Sequence, residues 1–125
     1  MSSDKKQIYI VDDDESVSRA LKLLLVIYGF AVETFVSAEK FFSSVSNSTE
    51  GCLILDLHLS GLNGWDTQKR IRDTGFNRPI IFISTDKDDN LKGQALKAGA
   101  VGFLQKPFDD HALIGLIKVA FEKKK

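Results

Sequence analysis

Cys52-Leu53-Ile54-Leu55-Asp56-Leu57 is an apolar run of strand length that carries one carboxylate near its end. Aliphatic side chains on both parities describe a strand covered on both faces, as in the middle of a parallel sheet. Asp56 is then the first polar group at the carboxyl end of that strand. In open α/β sheets, ligands gather outside the carboxyl ends of the strands where strand order reverses, so Asp56 is the candidate reactive group.

Composition narrows the surroundings. With 125 residues, 43% of them hydrophobic, the chain can build one cooperative core but not two, so 1–125 is expected to be a single domain. Lysine plus arginine number 17 and aspartate plus glutamate 17. This balance gives no bulk charge to attract nucleic acid or a membrane, and no direct contact with either is expected. Cys52, the lone cysteine, lies inside the apolar run, which fits packing in a reducing compartment. The polar start (Ser2, Ser3, Asp4, Lys5, Lys6) and the lack of any membrane-length apolar run make a cytoplasmic location the expectation.

Outward from Asp56, strand-like and helix-like pieces alternate. Gln7 to Val11 reads as the first strand, and Asp12-Asp13-Asp14-Glu15 closes it and opens a helix. In that helix Val17, Ala20, Leu21, Leu24 and Tyr28 form the expected buried stripe, with Ser18, Arg19 and Lys22 outside it and Gly29 as the stop. Phe30 to Phe35 is the second strand. Ser37 caps a second helix carrying Phe41, Phe42 and Val45. Beyond Asp56, a loop with Gly61 and Gly64 leads to a polar helix with Trp65, Gln68 and Ile71 on successive turns, Trp65 packing against the sheet. Pro79 to Ser84 is the fourth strand. Lys87 to Ala98 is a thin fourth helix, weakened by Gly93 and expected to be the most mobile, with Gly99 as its stop. Val101 to Gln105 is the fifth strand, and a last helix carries Leu113, Leu116, Ile117, Ala120 and Phe121 on one face. Five strand–helix units with short loops imply a doubly wound parallel sheet of flavodoxin-like order 2-1-3-4-5.

That order collects the polar strand ends on one rim. Asp12 and Asp13 follow strand one, Asp56 ends strand three, Ser84 ends strand four and Lys106 follows strand five beside Pro107. Three carboxylates crowded together raise one another's pKa unless a cation neutralises them. An all-oxygen donor set favours a hard ion, Mg²⁺, with Mn²⁺ an acceptable substitute. Mg²⁺ and Lys106 together balance three negative charges, an arrangement suited to phosphoryl transfer, with Asp56 as nucleophile. Lys106, the metal and the Ser84 hydroxyl would then each take one phosphoryl oxygen.

Val11-Asp12-Asp13, Leu55-Asp56, Ile83-Ser84 and Phe103-Leu104-Gln105-Lys106-Pro107-Phe108, in that order and spacing, resemble the receiver domains of two-component response regulators over essentially the whole chain. The resemblance implies phosphorylation of Asp56 by a histidine kinase, a phosphotransfer protein or a small phosphodonor. Mg²⁺ would be held by Asp13, Asp56 and the His58 backbone carbonyl, with Asp12 assisting through water. It further implies a cis Lys106-Pro107 bond, and a switch in which Ser84 moves toward the phosphoryl group while Phe103 turns inward. His58 and Asp86, each two residues past a site residue, occupy positions that in this family influence access of hydrolytic water, and so the lifetime of the phosphorylated state. Leu59-Ser60-Gly61 departs from the Met-Pro common in this loop. The start of the last helix is similar to receivers that precede a helix-turn-helix DNA-binding domain, implying an output in transcription. Ile114 and Lys118 are expected to point away from the sheet and, with Phe103 and the fourth helix, to outline a homodimer face built from helix four, strand five and helix five.

Other readings compete for the same residues. Asp12 to Glu15 could merely cap a helix, which leaves Asp56 and Lys106 unexplained; for Asp14 and Glu15 capping is the expectation. His58 and His111 have no zinc spacing and read as solvated. A magnesium-dependent phosphatase with an aspartyl nucleophile, of the haloacid-dehalogenase type, would carry a second acid where His58 stands. A pseudo-receiver acting only as an interaction module would lack an acid, the hydroxyl or the lysine, and none is missing. A flavodoxin would need a phosphate-binding loop where the first strand runs into acids.

Overall fold

A computed structural model of the chain describes residues 6–45, 51–57, 64–73, 78–86, 88 and 90–123. Their order is β1 (Gln7–Val11), α1 (Glu15–Ile27), β2 (Ala31–Phe35), α2 (Ala38–Ser44), β3 (Cys52–Asp56), α3 (Gly64–Asp73), β4 (Ile80–Ser84), α4 (Asn90–Lys97), β5 (Gly102–Gln105) and α5 (Asp110–Lys123). All strands pair in parallel in the order β2-β1-β3-β4-β5. The doubly wound flavodoxin-like sheet is therefore as expected, with β1 and β3 at its switch point. Among the described residues no helix is long and apolar enough to cross a membrane.

Strand parity sorts the core into two layers. Tyr9, Val11, Leu53, Leu55, Ile80 and Phe82 face one way and meet Phe41 of α2, Ile71 of α3 and Leu91 and Ala95 of α4. Ile8, Ile10, Cys52, Ile54, Ile81 and Ile83 face the other way and meet Leu21 and Leu25 of α1 and Leu113, Ile117 and Ala120 of α5. Every residue of β3 and β4 is buried, because a central parallel strand is covered on both faces by its crossover helices. Trp65 packs against Phe82 with ring centroids 5.0 Å apart, which seats α3 on the sheet.

The punctuation follows local chemistry. The Ser37 hydroxyl accepts the Lys40 amide at 3.1 Å and caps α2. Gly29 (φ +95°) and Gly99 (φ +98°) end α1 and α4 in the left-handed region, where a side chain would be strained. β2, β4 and β5 each begin one residue later than the sequence pattern suggests, leaving Phe30, Pro79 and Val101 as lead-in residues.

Three expectations are corrected. The buried face of α1 is Ser18, Leu21 and Leu25, while Ala20 and Tyr28 are exposed. Leu23 to Tyr28 is apolar all round, so hydrophobic spacing cannot single out a stripe; Leu23 and Ile27 end up 61% and 77% exposed. Ile114 does not point away from the sheet. It is 5% exposed within the α1–α5 layer, whereas Lys118 is exposed. α4 starts at Asn90 rather than Lys87, because the Asp88 carboxylate accepts the Asn90 amide at 2.9 Å. Lys87 and Asp89, at the expected start of α4, lie outside the described residues.

Burial pushes the Cys52 thiol up to about 12, so almost no thiolate exists at neutral pH. An aromatic disulfide reagent is expected to leave the native chain unmodified and to label Cys52 at the rate of global unfolding. Labelling that is fast and insensitive to urea would contradict the packing of β3.

Candidate functional site

Strand register brings the acids together. Val11 pairs with Leu55, so Asp12, one residue on, stands level with Asp56 at the end of β3. The Asp12 amide donates to the Phe35 carbonyl at 3.1 Å and the Leu57 amide to the Ile83 carbonyl at 2.9 Å, so sheet-like bonds hold both positions past the last paired residue. One carboxylate oxygen from each of Asp12, Asp13 and Asp56 lies within 4.8 Å of the others. On the neighbouring strands, Ser84 closes β4 fully buried, and the Lys106 amide donates to the Ser84 carbonyl at 2.6 Å. From there the Lys106 side chain reaches the acids. Its Nζ lies 2.9 Å from Oδ2 of Asp12 and 3.5 Å from Oδ2 of Asp56. The Lys106-Pro107 bond that follows is cis.

The acids differ in environment. Asp12 is completely buried, Asp56 is 7% exposed and Asp13 is exposed. Oδ1 of Asp12 accepts the Asp14 amide at 2.9 Å and Oδ2 accepts from Lys106. Burial still pushes the Asp12 carboxyl above the usual range, the Asp14 amide and Lys106 pulling against it and the Asp56 charge adding to it. For Lys106 burial alone would lower the pKa; its hydrogen bond to Asp12 and the charges of Asp12 and Asp56 outweigh that and hold the ammonium above its ordinary value. One lysine therefore faces three acids. Two unit charges ~4 Å apart repel by about 4 kcal/mol at an effective dielectric near 20, which leaves a strong local demand for further positive charge. The all-oxygen, net-negative donor set fits a hard divalent ion such as Mg²⁺. Asp12, with both oxygens engaged by protein donors, is placed to steady Lys106 as much as to serve an ion.

The other candidates take these places. Asp14 is a helix cap, accepting the Ser16 hydroxyl at 2.7 Å and the Ser16 amide at 3.0 Å, and those bonds lower its pKa. The Ser84 hydroxyl accepts the amide of exposed Asp86 at 3.0 Å. Phe103, half-buried, packs on the layer that holds α4. His111 is exposed beside Asp109. His58, like the loop carrying Gly61, lies outside the described residues.

The sequence pattern places Gly64 in the loop, whereas it is the first residue of α3 and lies against the backbone of Asp56 and Leu57. A Cβ there would lie 2.9 Å from the Leu57 Cα and 3.1 Å from the Asp56 carbonyl oxygen, and the Gly64 amide donates to the Leu57 carbonyl at 3.1 Å. Only glycine lets α3 start flush against the backbone that carries Asp56. The available signal was its position directly ahead of Trp65, at the point where a loop must pass close to a strand end.

The family model for the response regulator receiver domain matches residues 8–118, and the chain belongs to that family. It is a receiver domain of two-component signalling. Response regulator protein TodT of Pseudomonas putida is 43% identical over 122 residues, covering 98% of this chain and 54% of that protein. Transcriptional regulatory protein FixJ of Rhizobium meliloti is 36% identical, covering 92% of this chain and 56% of that protein. The chain spans about half the length of these curated relatives. Among solved structures, FixJ-N superposes with a TM-score of 0.88 at 35% identity, covering 97% of both chains. Response regulator StyR superposes with 0.88 at 37% identity, covering 94% of this chain and 60% of the other.

Gly64→Ala is expected to destabilise the fold by about 1–3 kcal/mol, since the new methyl meets backbone that cannot rotate away. Urea unfolding reads this as a lower midpoint, and an unchanged midpoint would mean that the Asp56–Leu57 backbone yields freely.

Proposed function

We propose that Asp56 is the phosphoacceptor of this receiver. A carboxylate oxygen of Asp56 attacks phosphorus of a phosphohistidine on a histidine kinase or phosphotransfer protein, or of a small phosphodonor. The bond from phosphorus to the donor nitrogen or oxygen breaks, the donor leaves with its electron pair, and an acyl phosphate remains on Asp56. The carrying observation is Lys106, whose ammonium lies between Asp12 and Asp56, within reach of an oxygen on a group attached to Asp56. Asp12 holds the lysine, and Ser84 ends the adjacent strand as donor to a second phosphoryl oxygen. Asp13 and Asp56, together with the His58 carbonyl, would hold Mg²⁺ or Mn²⁺, with Asp12 behind them. That ion supplies charge neutralisation for the transferring group.

When Ser84 turns to the phosphoryl group, Phe103 fills the space released, a population shift biased by contacts that only the phosphorylated state makes. The output face includes α4, β5 and the exposed part of α5, and it serves kinase-controlled homodimerisation. With Ile114 buried and Lys118 beside Lys6 and Phe30 on the α1 side of α5, that face rests on the exposed Leu96 and Val119. The description of FixJ as a transcriptional regulatory protein supports an output in transcription, and we propose residues 1–125 as a single receiver domain acting in the cytoplasm. The aspartyl phosphatase alternative is less favoured, because His58 stands where its second acid would be.

Incubation with acetyl phosphate and Mg²⁺ is expected to add one phosphoryl group by intact mass. Asp56→Asn or excess chelator should abolish the adduct, and light scattering of the same sample reports dimerisation. An adduct on Asp56→Asn of equal yield would remove the assignment. The acyl phosphate then hydrolyses, and the His58→Ala, Asp86→Ala double variant is expected to alter its decay rate several-fold. An unchanged rate would free both side chains of that role.

A further inference from the structure

The carboxyl ends of α3 and α4 meet the amino end of β4 at the pole opposite the acids, and a recess of about 290 Å³ opens between them. Its described lining carries Arg72 of α3, Arg78 just ahead of β4 and Lys97 of α4, and no acid. Asp73, the acid beside Arg72 in sequence, pairs with exposed Lys69 at 3.2 Å. Thr74-Gly75-Phe76-Asn77, between α3 and Arg78, adds no charge.

Helix dipoles account for two of these cations and not for the third. A cation in the last turn is favoured by the negative pole of its helix, which explains Arg72 and Lys97. Arg78 belongs to neither helix and is 7% exposed. Burial lowers its pKa to about 10, so the guanidinium stays charged at neutral pH, and a buried charge is costly unless it is met. Its Cζ lies 5.2 Å from the ring centre of Tyr9 and 5.1 Å from that of Phe41, two buried rings that fix where it stands. A guanidinium carries five N–H donors, so contacts inside the protein do not exhaust it. The carbonyls that would repel an anion are covered. The Ala98 carbonyl accepts Nε2 of buried Gln68 at 2.7 Å and Nη1 of Arg72 at 3.2 Å, and the Gly99 and Ala100 amides donate to Leu96 and Ala95, each at 3.0 Å.

We infer that this recess binds a compact polyanion of the phosphate class, a diphosphate, bridged by Arg72, Arg78 and Lys97. Guanidinium forks match phosphate oxygens two at a time, and the lysine ammonium adds a point charge. Size favours such a ligand over a peptide, since about 290 Å³ lies just below the ~300–1,000 Å³ of ordinary ligand pockets. Ile71 and Ile80, both buried, supply apolar wall, which lowers the local dielectric and strengthens the pairing. The bound anion ties α3 and α4 to the sheet without using the acidic rim.

Pyrophosphate titrated into the full chain, in chelator and without phosphodonor, tests this by calorimetry and amide NMR. One saturable site is expected, with shifts centred on Ile80, Ala98 and Gly99. The double variant Arg72→Gln, Lys97→Gln, at exposed positions, is expected to weaken binding about tenfold or more, the factor for roughly one charge-assisted hydrogen bond. Lys40→Gln, Lys92→Gln removes the same charge elsewhere on the surface and is expected to have no effect. Arg78→Lys keeps the charge, loses the fork and is also expected to bind more weakly; if thermal unfolding shows that it does not fold, the exposed pair carries the test. ADP bound at the same amides identifies a nucleotide as the source of the diphosphate, and pyrophosphate bound with ADP excluded identifies the free anion; both uphold the site. Absence of saturable binding at millimolar pyrophosphate overturns it, as does equal weakening by the two double variants. Binding of a triglutamate peptide in place of pyrophosphate overturns it too.

Discussion

The contact between Lys106 and the pair Asp12 and Asp56 is the constraint on which the site depends. It joins the ends of three strands, one of them two places away across the sheet, and it is made where water is largely excluded. Among the described residues, removing Lys106 would leave the buried Asp12 carboxylate with the Asp14 amide alone against its charge. A buried ion pair of this kind contributes little net stability, because desolvation offsets attraction, yet breaking it is expensive. The arrangement is therefore a concentration of charge at the rim rather than a fastening for the fold.

What makes such concentrated charge tolerable is the sheet beneath it. β3 and β4 are buried along their whole length, and alternate side chains feed two separate layers. The rim can therefore carry mutually repelling groups while β3 and β4 below it bury apolar side chains on both faces. Gly64 serves the same end from the side by letting α3 approach the backbone next to Asp56 without a clash.

Much of this is legible in the amino-acid sequence because two strong signals agree. Continuous aliphatic runs mark central parallel strands, and each run ends in a polar residue that parallel topology must send to the same rim. Asp12, Asp13, Asp56, Ser84 and Lys106 could be collected that way before any coordinates. The stripe on α1 could not, since Leu23 to Tyr28 offers apolar surface in every direction and the choice of face falls to tertiary packing. Ile114 misleads for a related reason: α5 is aliphatic over more than one face, and the sheet takes Ile114 as well as Ile117. Gly64 and Gln68 act through a close approach and a single carbonyl, features that leave no periodic trace.

At the pole opposite the acids, Phe30 stacks on Phe121 with centroids 6.1 Å apart, and the Lys6 ammonium sits 5.2 Å from the Phe121 ring centre. The last turns of α5 are thereby stitched to the entry of β1 and the turn after α1. A mechanical pull on the far end of α5 would be absorbed by this aromatic clasp before it reached the rim. Tension and chemistry are thus handled at opposite poles of one small body.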